Sequence, residues 1–249
     1  MSDSSNNQEL KVRIFPMFRD ADADGRVGLK AYANYIQDMT THHMHDYGKG
    51  NDTIPEEYGI TWMFTKCKIH VDRKFEFREE YLDLTTWCEQ GKSDAVLYQD
   101  LLISRGTEKY GCAHLECCLF NLRKNSLARM REIDFPYEVR QEKHLDMGRY
   151  ERPNKKLDGF TLAYTHRVLY TDLDKTMHMN NVKYYDLFLN AFDSQFYQEH
   201  FVTDMEMHYL KQCYEKEEIQ VLTKTEENRI ILDAIKEDGS LAAQCILKI

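Results

Sequence analysis

The sequence predicts an α+β fold made of two copies of one unit, each an antiparallel sheet with one long helix. Three observations carry that expectation: period-two alternation over most of the chain, one helical stretch in each half, and the same order of elements in both halves. At 249 residues the chain can form two units of about 100 to 120 residues, each with a core of its own. Its 42 % hydrophobic and 30 % charged residues are those of a soluble globular protein, and only four prolines argue against long disordered linkers.

The opening residues, MSDSSNNQEL, lack the basic-plus-apolar pattern of a signal peptide and the Arg-rich pattern of a transit peptide, so a cytoplasmic location is expected. In LKVRIFPMFR, Val12, Ile14 and Phe15 favour a strand, and Pro16 rules out a helix through the segment. DADADGRVGLKA, residues 20–31, then imitates a calcium loop. Asp20, Asp22, Asp24, Gly25 and Val27 suit an EF-hand, but Ala31 stands where the bidentate glutamate must close the site. No metal is expected there. Leu29, Tyr32, Ala33, Ile36 and Met39 follow at helical spacing, predicting a helix over 28–47 ended by Gly48. From Thr61 to about Phe120 the runs TWMFTKCKIHV, YLDLTTWC and AVLYQDLLIS read as strands, with turns at EQGKSD and SRGTEK.

The order then returns. LAYTHRVLY reads as a strand and TDLDKTMHMN as an aspartate-rich loop. A helix follows with Val182, Tyr185, Leu189, Phe192 and Phe196 on one face, and β-like runs continue to Ile249. Laying Asp22 on Asp174 brings Asp20 onto Asp172, Tyr32 onto Tyr184 and Arg26 onto His178. A repeat of that length indicates a duplicated domain rather than a solenoid.

These features resemble the hot-dog fold, and DLDKTMHMNNVKYYDLF is similar to the active-site motif of acyl-ACP thioesterases, whose plant members read Asp-x-Asn-x-His-Val-Asn-Asn-x-x-Tyr. WMFTKCKIHVDRKFEFREEYLDLTTWCEQG and FNLRKNSLARMREIDFP resemble first-half segments of the same family, so the likeness runs from about Val12 to Ile249. It implies a tandem double hot-dog with each sheet wrapped round a long helix. An acyl-chain-binding half at 8–140, a linker at 141–157 and a catalytic half at 158–249 follow from it. It also implies hydrolysis of acyl-acyl carrier protein to free fatty acid, with the carrier protein as partner, no cofactor, and a monomer or homodimer. An acyl-CoA thioesterase and a non-catalytic acyl-binding protein are the alternatives. Leu29, Tyr32 and Ile36 would border the acyl tunnel, although packing alone explains them equally well.

Thioester hydrolysis needs a base for water and donors for the oxyanion. His178 is the candidate base, and Asp174, in the same loop, is close enough to hydrogen-bond its imidazole. The helix starting near Asn181 would offer free N–H groups to the oxyanion. Asn180 and Asn181 read either as helix caps or as substrate contacts. Two positions depart from the family: Thr176 replaces the asparagine two residues before the histidine, and Gln212–Cys213 replaces a Glu-Cys pair. Threonine keeps a hydroxyl, and glutamine keeps the shape of glutamate without its basicity. Gln212 is therefore no general base, and it and Thr176 are expected to orient water or carbonyl. Cys213 reads as a nucleophile paired with His178 or as a small buried apolar residue.

Other signals are set aside or left open. Seven cysteines without a Cys-x-x-Cys pair fit reduced thiols, and GCAHLECCLF reads as a strand. His42, His43, His45 and Asp46 read as a solvated helix end, since a metal would need a third ligand. A net charge of −9 argues against nucleic acid, and no apolar run is long enough to span a membrane. Arg123, Lys124, Arg129 and Arg131 could meet an acidic carrier protein or form a solvated loop.

Overall fold

The computed structural model describes residues 8–77, 80–136, 140–141, 145–153 and 157–249; of the expected linker, 142–144 and 154–156 lie outside the described residues. The first half runs β1 (Glu9–Ile14), β2 (Arg26–Val27), α1 (Leu29–Asp46), α2 (Ile54–Tyr58), β3 (Ile60–Val71), β4 (Phe75–Glu76), β5 (Leu82–Gln90), β6 (Val96–Arg105), β7 (Glu108–Asn121) and β8 (Ser126–Leu127). After β9 (Arg140–Gln141), the second half runs β10 (Thr161–Arg167), α3 (Lys183–Leu189), α4 (Ser194–Glu199), β11 (Asp204–Tyr209), β12 (Glu218–Glu226), β13 (Arg229–Lys236) and β14 (Leu241–Lys248).

The main sheet has the order β1-β5-β6-β7-β3-β11-β14-β13-β12-β10. Its two halves mirror each other about the β3–β11 seam, with five strands on either side. At the seam Met207 lies opposite Cys67 and Met205 opposite Ile69 on the buried face. Glu206 lies opposite Lys68 on the other face. This period-two alternation fixes the register, because a slip of one residue would turn the methionines outward.

Helix α1 buries Leu29, Tyr32, Ala33, Ile36 and Met39, the face expected from the periodicity, and extends it with Tyr35, His43 and Met44. It stops where Gly48 takes a left-handed backbone (φ +64°) and Lys49 N–H turns back to the Met44 carbonyl. Tyr32 lies fully buried beside Gly111, where a Cβ would come within 2.6 Å of the ring, so β7 carries a glycine for close approach.

The single helix expected in the second half is two short ones. After α3 the chain turns at Asn190–Asp193, and Asp193 Oδ1 accepts from Phe196 N–H at 3.0 Å to start α4 afresh. The buried face of α3 is Tyr184, Tyr185, Leu187 and Phe188, and Phe192 in the break stacks on Phe196 of α4 at 4.2 Å.

Residues 145–153 form a strap on the sheet face opposite the buried one. Leu145 N–H donates to Asp100 Oδ2, Lys68 Nζ donates to the carbonyls of Met147, Gly148 and Arg149, and Tyr150 O–H donates to the His114 carbonyl. This part of the connector is therefore bound to the sheet. Among the described residues no helix is long and apolar enough to cross a membrane.

Candidate active site

The two aspartate-rich loops are built on one plan. Asp20 Oδ2 accepts from Met17 N–H, and Asp172 Oδ2 accepts from Leu169 N–H. Ala21 bridges Val27 as Leu173 bridges Met179. Asp22 N–H donates to the Arg26 carbonyl at 2.8 Å, and Asp174 N–H to the His178 carbonyl at 2.9 Å. Each turn passes through a left-handed residue, Gly25 (φ +76°) in the first and Met177 (φ +64°) in the second. Glycine adopts that backbone freely, whereas methionine does so at a cost, which marks the second loop as the strained one.

The calcium-like aspartates face separate partners. Asp20 caps its own turn, Asp24 accepts from Arg26 N–H and pairs with Lys74 at 2.7 Å, and Asp22 lies beside Gly28. Among the described residues no three His, Cys, Asp or Glu side chains converge as a metal site. His42 and His45 do lie at a solvated helix end, paired with Asp46 and Asp52. His43 differs: it is buried, with Nδ1 accepting from Gln99 Nε2 at 2.8 Å.

In the second loop Thr176 Oγ1 donates to Asp174 Oδ1 at 2.5 Å and lies 2.9 Å from His178 Nδ1. Thr176 N–H donates to the same carboxylate oxygen at 2.7 Å. An ionised carboxylate only accepts, so the single hydroxyl proton points to Asp174 and the oxygen accepts Nδ1–H from the imidazole. In the neutral imidazole this leaves Nε2 as the acceptor. The expected direct bond between Asp174 and the imidazole is replaced by this three-group chain.

His178 is half-buried. It bridges Tyr214 in antiparallel fashion, and the two rings meet edge to face at 5.0 Å. Tyr214 O–H donates to Gln212 Oε1 at 3.3 Å, and Lys236 Nζ donates to the Gln212 carbonyl. Gln212 thus sits exposed, two residues before Tyr214 and hydrogen-bonded to the ring that meets His178. Cys213, in the same connection between β11 and β12, is buried: its carbonyl accepts from Met179 N–H, and burial pushes its thiol pKa up. A protonated buried thiol suits packing against Tyr184 better than nucleophilic attack.

Asn180 Oδ1 accepts from Val182 N–H at 3.1 Å in a turn just ahead of α3, whose N-cap is Val182, so neither asparagine caps the helix with its side chain. Backbone N–H groups at 180, 182, 183 and 184 are all engaged, while that of Asn181 has no partner among the described residues. The Asn181 carbonyl accepts from Tyr209 O–H, which holds this peptide in place.

Leu29, Tyr32 and Ile36 lie in the core towards the start of α1. A cavity of about 40 Å³ opens farther along the helix, lined by Thr40, Met44, Asn51, Trp62, Phe64 and Gln99 among others. Lys175 Nζ donates to the Asn51 carbonyl at 3.1 Å, so the loop bearing His178 is tied to the residue that borders this cavity. Neither Tyr214 nor this cross-link was foreseeable from periodicity, and neither carries a motif. Arg123, Lys124, Arg129 and Arg131 are exposed around the β7–β8 turn, with Lys124 3.7 Å from Glu132.

Residues 7–131 match the family model described as the acyl-ACP thioesterase N-terminal domain, and residues 154–244 the one described as the acyl-ACP thioesterase C-terminal domain. A chloroplastic palmitoyl-acyl carrier protein thioesterase of Gossypium hirsutum is 24 % identical over 237 residues, which is 89 % of this chain and 55 % of that protein. The chain spans about half the length of the curated relatives it matches. Two solved structures share the double hot-dog fold. One is an acyl-ACP thioesterase from Bacteroides thetaiotaomicron (TM-score 0.83, 19 % identity, 98 % of this chain and 99 % of that one). The other is the 12:0-ACP thioesterase from Umbellularia californica (TM-score 0.81, 16 % identity, 97 % and 96 %).

Proposed function

We infer the reaction from the premise that both family matches supply: this chain belongs to the acyl-ACP thioesterase family. It hydrolyses the thioester of acyl-acyl carrier protein and releases free fatty acid, ending chain elongation, in the cytoplasm and without a cofactor. The observation that carries this reading is the Asp174–Thr176–His178 chain, which leaves Nε2 as the acceptor a water-activating base needs.

Water gives its proton to His178 Nε2 as its oxygen bonds to the acyl carbon. The Asn181 N–H meets the oxyanion, and the tetrahedral centre then collapses, breaking the carbon–sulfur bond. The imidazolium returns the proton to the departing sulfur, so the carrier leaves as a thiol and the acyl group as a fatty acid. Gln212, beside Tyr214, orients the attacking water. Cys213 takes no covalent part. The second half, 158–249, supplies these groups, and the first, 8–140, holds the acyl chain, with Leu29, Tyr32 and Ile36 forming the wall behind it. Arg123, Lys124, Arg129 and Arg131 face the acidic carrier. One chain contains both halves, so a monomer is sufficient.

An assay of free fatty acid released from acyl-ACP across a ladder of chain lengths, set beside CoA thioesters of the same chains, tests the reading. Wild type should turn over acyl-ACP faster than acyl-CoA, and His178→Ala should lose at least about a hundredfold in kcat. Binding of acyl-ACP with no release above the His178→Ala background would make the protein an acyl-binding module instead.

A further inference from the structure

The cavity beside α1 is not an all-carbon slot. Met44, Trp62, Phe64 and Leu97 give it apolar walls, but Thr40 and Gln99 also face it. Thr40 is 3 % exposed, and its hydroxyl has no hydrogen-bond partner among the described residues. A helical threonine can usually bond the carbonyl one turn back, as neighbouring Thr41 does to Gln37 at 2.9 Å. Thr40 has the same option at Ile36 and does not take it.

Nor can Gln99 supply the partner. Its Nε2 donates to His43 Nδ1 at 2.8 Å and to Thr86 Oγ1 at 2.6 Å, while its Oε1 accepts from Cys88 Sγ at 3.0 Å. The amide is held on three sides and is not free to turn. The wall therefore presents one buried hydroxyl that an alkyl chain would leave unpaired, at a penalty on binding.

We propose that the acyl group bound beside this cavity carries a hydroxyl on its chain, which enters the cavity and pairs with Thr40 Oγ1. This rests on the reading that the first half holds the acyl chain of an acyl-ACP substrate. A hydroxyl both donates and accepts, so it satisfies Thr40 in either orientation. The cavity, at about 40 Å³, has room for a substituent and little else. Its border residue Asn51 is held by Lys175 of the reactive loop, so the hydroxyl lies along the chain near that loop and not at a distant tail end.

The test compares wild type, Thr40→Val and Thr40→Ser on acyl-ACP of one length, unsubstituted or monohydroxylated with the hydroxyl moved along the chain. At one position wild type should show kcat/KM about tenfold above the unsubstituted chain. Thr40→Val, which keeps the shape and loses the hydroxyl, should erase that ratio, and Thr40→Ser should keep it. Preference for the unsubstituted chain at every position, or an unchanged ratio in Thr40→Val, overturns the proposal. Equal rates for both chains in wild type do so too, and mean that water pairs with Thr40. If no acyl-ACP is hydrolysed at all, the reaction itself has been misread. Calorimetric binding of the free hydroxylated and plain acids to wild type and Thr40→Val then decides the cavity alone: a preference lost in the variant supports the hydroxyl, and equal binding refutes it.

Discussion

Thr176 shows how one side chain can replace another without keeping its chemistry. The family's asparagine offers an amide at this place; threonine offers one proton and two lone pairs, just enough to stand between a carboxylate and an imidazole. Thr176→Val removes the bridge at nearly constant volume, freeing the ring to protonate Nε2 and turn its base away from water. The expected result is a fall of about a hundredfold in kcat with KM almost unchanged. Thr176→Asn should recover most of the rate, because Oδ1 can accept Nδ1–H while Nδ2 donates to Asp174. Both belong in one steady-state comparison with pH profiles; a purely structural role would predict equal losses in the two variants. That Asp174 lies within reach of His178 was legible in the sequence, but its route through Thr176 was not. The path depends on the left-handed backbone of Met177, a conformation its residue type does not announce.

Among the elements, the duplicated loop was the most legible feature, because Asp20 and Asp22 fall on Asp172 and Asp174 and the backbone bonds of the two copies then coincide. The break between α3 and α4 was masked by period: Phe192 and Phe196 continue the helical spacing across it, and Asp193, the cap that restarts the chain, reads equally well as a surface residue. The twin loops also explain why one half can be silent. Where Thr176 bridges, the first copy has Asp24, whose carboxylate is taken by Lys74 and Arg26 N–H, and Arg26 stands where His178 does. Restoring the histidine alone does not rebuild the base, since Asp24, the acceptor placed to hold its Nδ1–H, is already engaged by Lys74 and by the backbone N–H of residue 26. Arg26→His should therefore add no turnover in a His178→Ala background. Any activity recovered there, measured as fatty acid release, would mean that the loop plan alone suffices for catalysis.

For the molecule as a whole, the seam decides whether the two halves are separate domains or one folding unit. The β3–β11 ladder runs from Asp204 opposite His70 to His208 opposite Lys66, and Met205 and Met207 bury themselves against Ile69 and Cys67 in a core that also includes α1 and α3. Splitting the halves would expose two long strand edges with buried methionines beside them, which favours aggregation over independent stability. The hydrogen bonds across the seam are therefore expected to make the stability of the two halves joint. Met207→Ala removes volume at the centre of this seam and should cost about 3 kcal/mol, lowering Tm by roughly 10 °C. The sharper outcome is the shape of the transition. A joint unit loses both halves together, giving one calorimetric peak whose van't Hoff and calorimetric enthalpies agree in wild type and variant. Two resolved peaks, with only one moved by Met207→Ala, would instead assign each half its own stability and reduce the seam to a contact between finished domains.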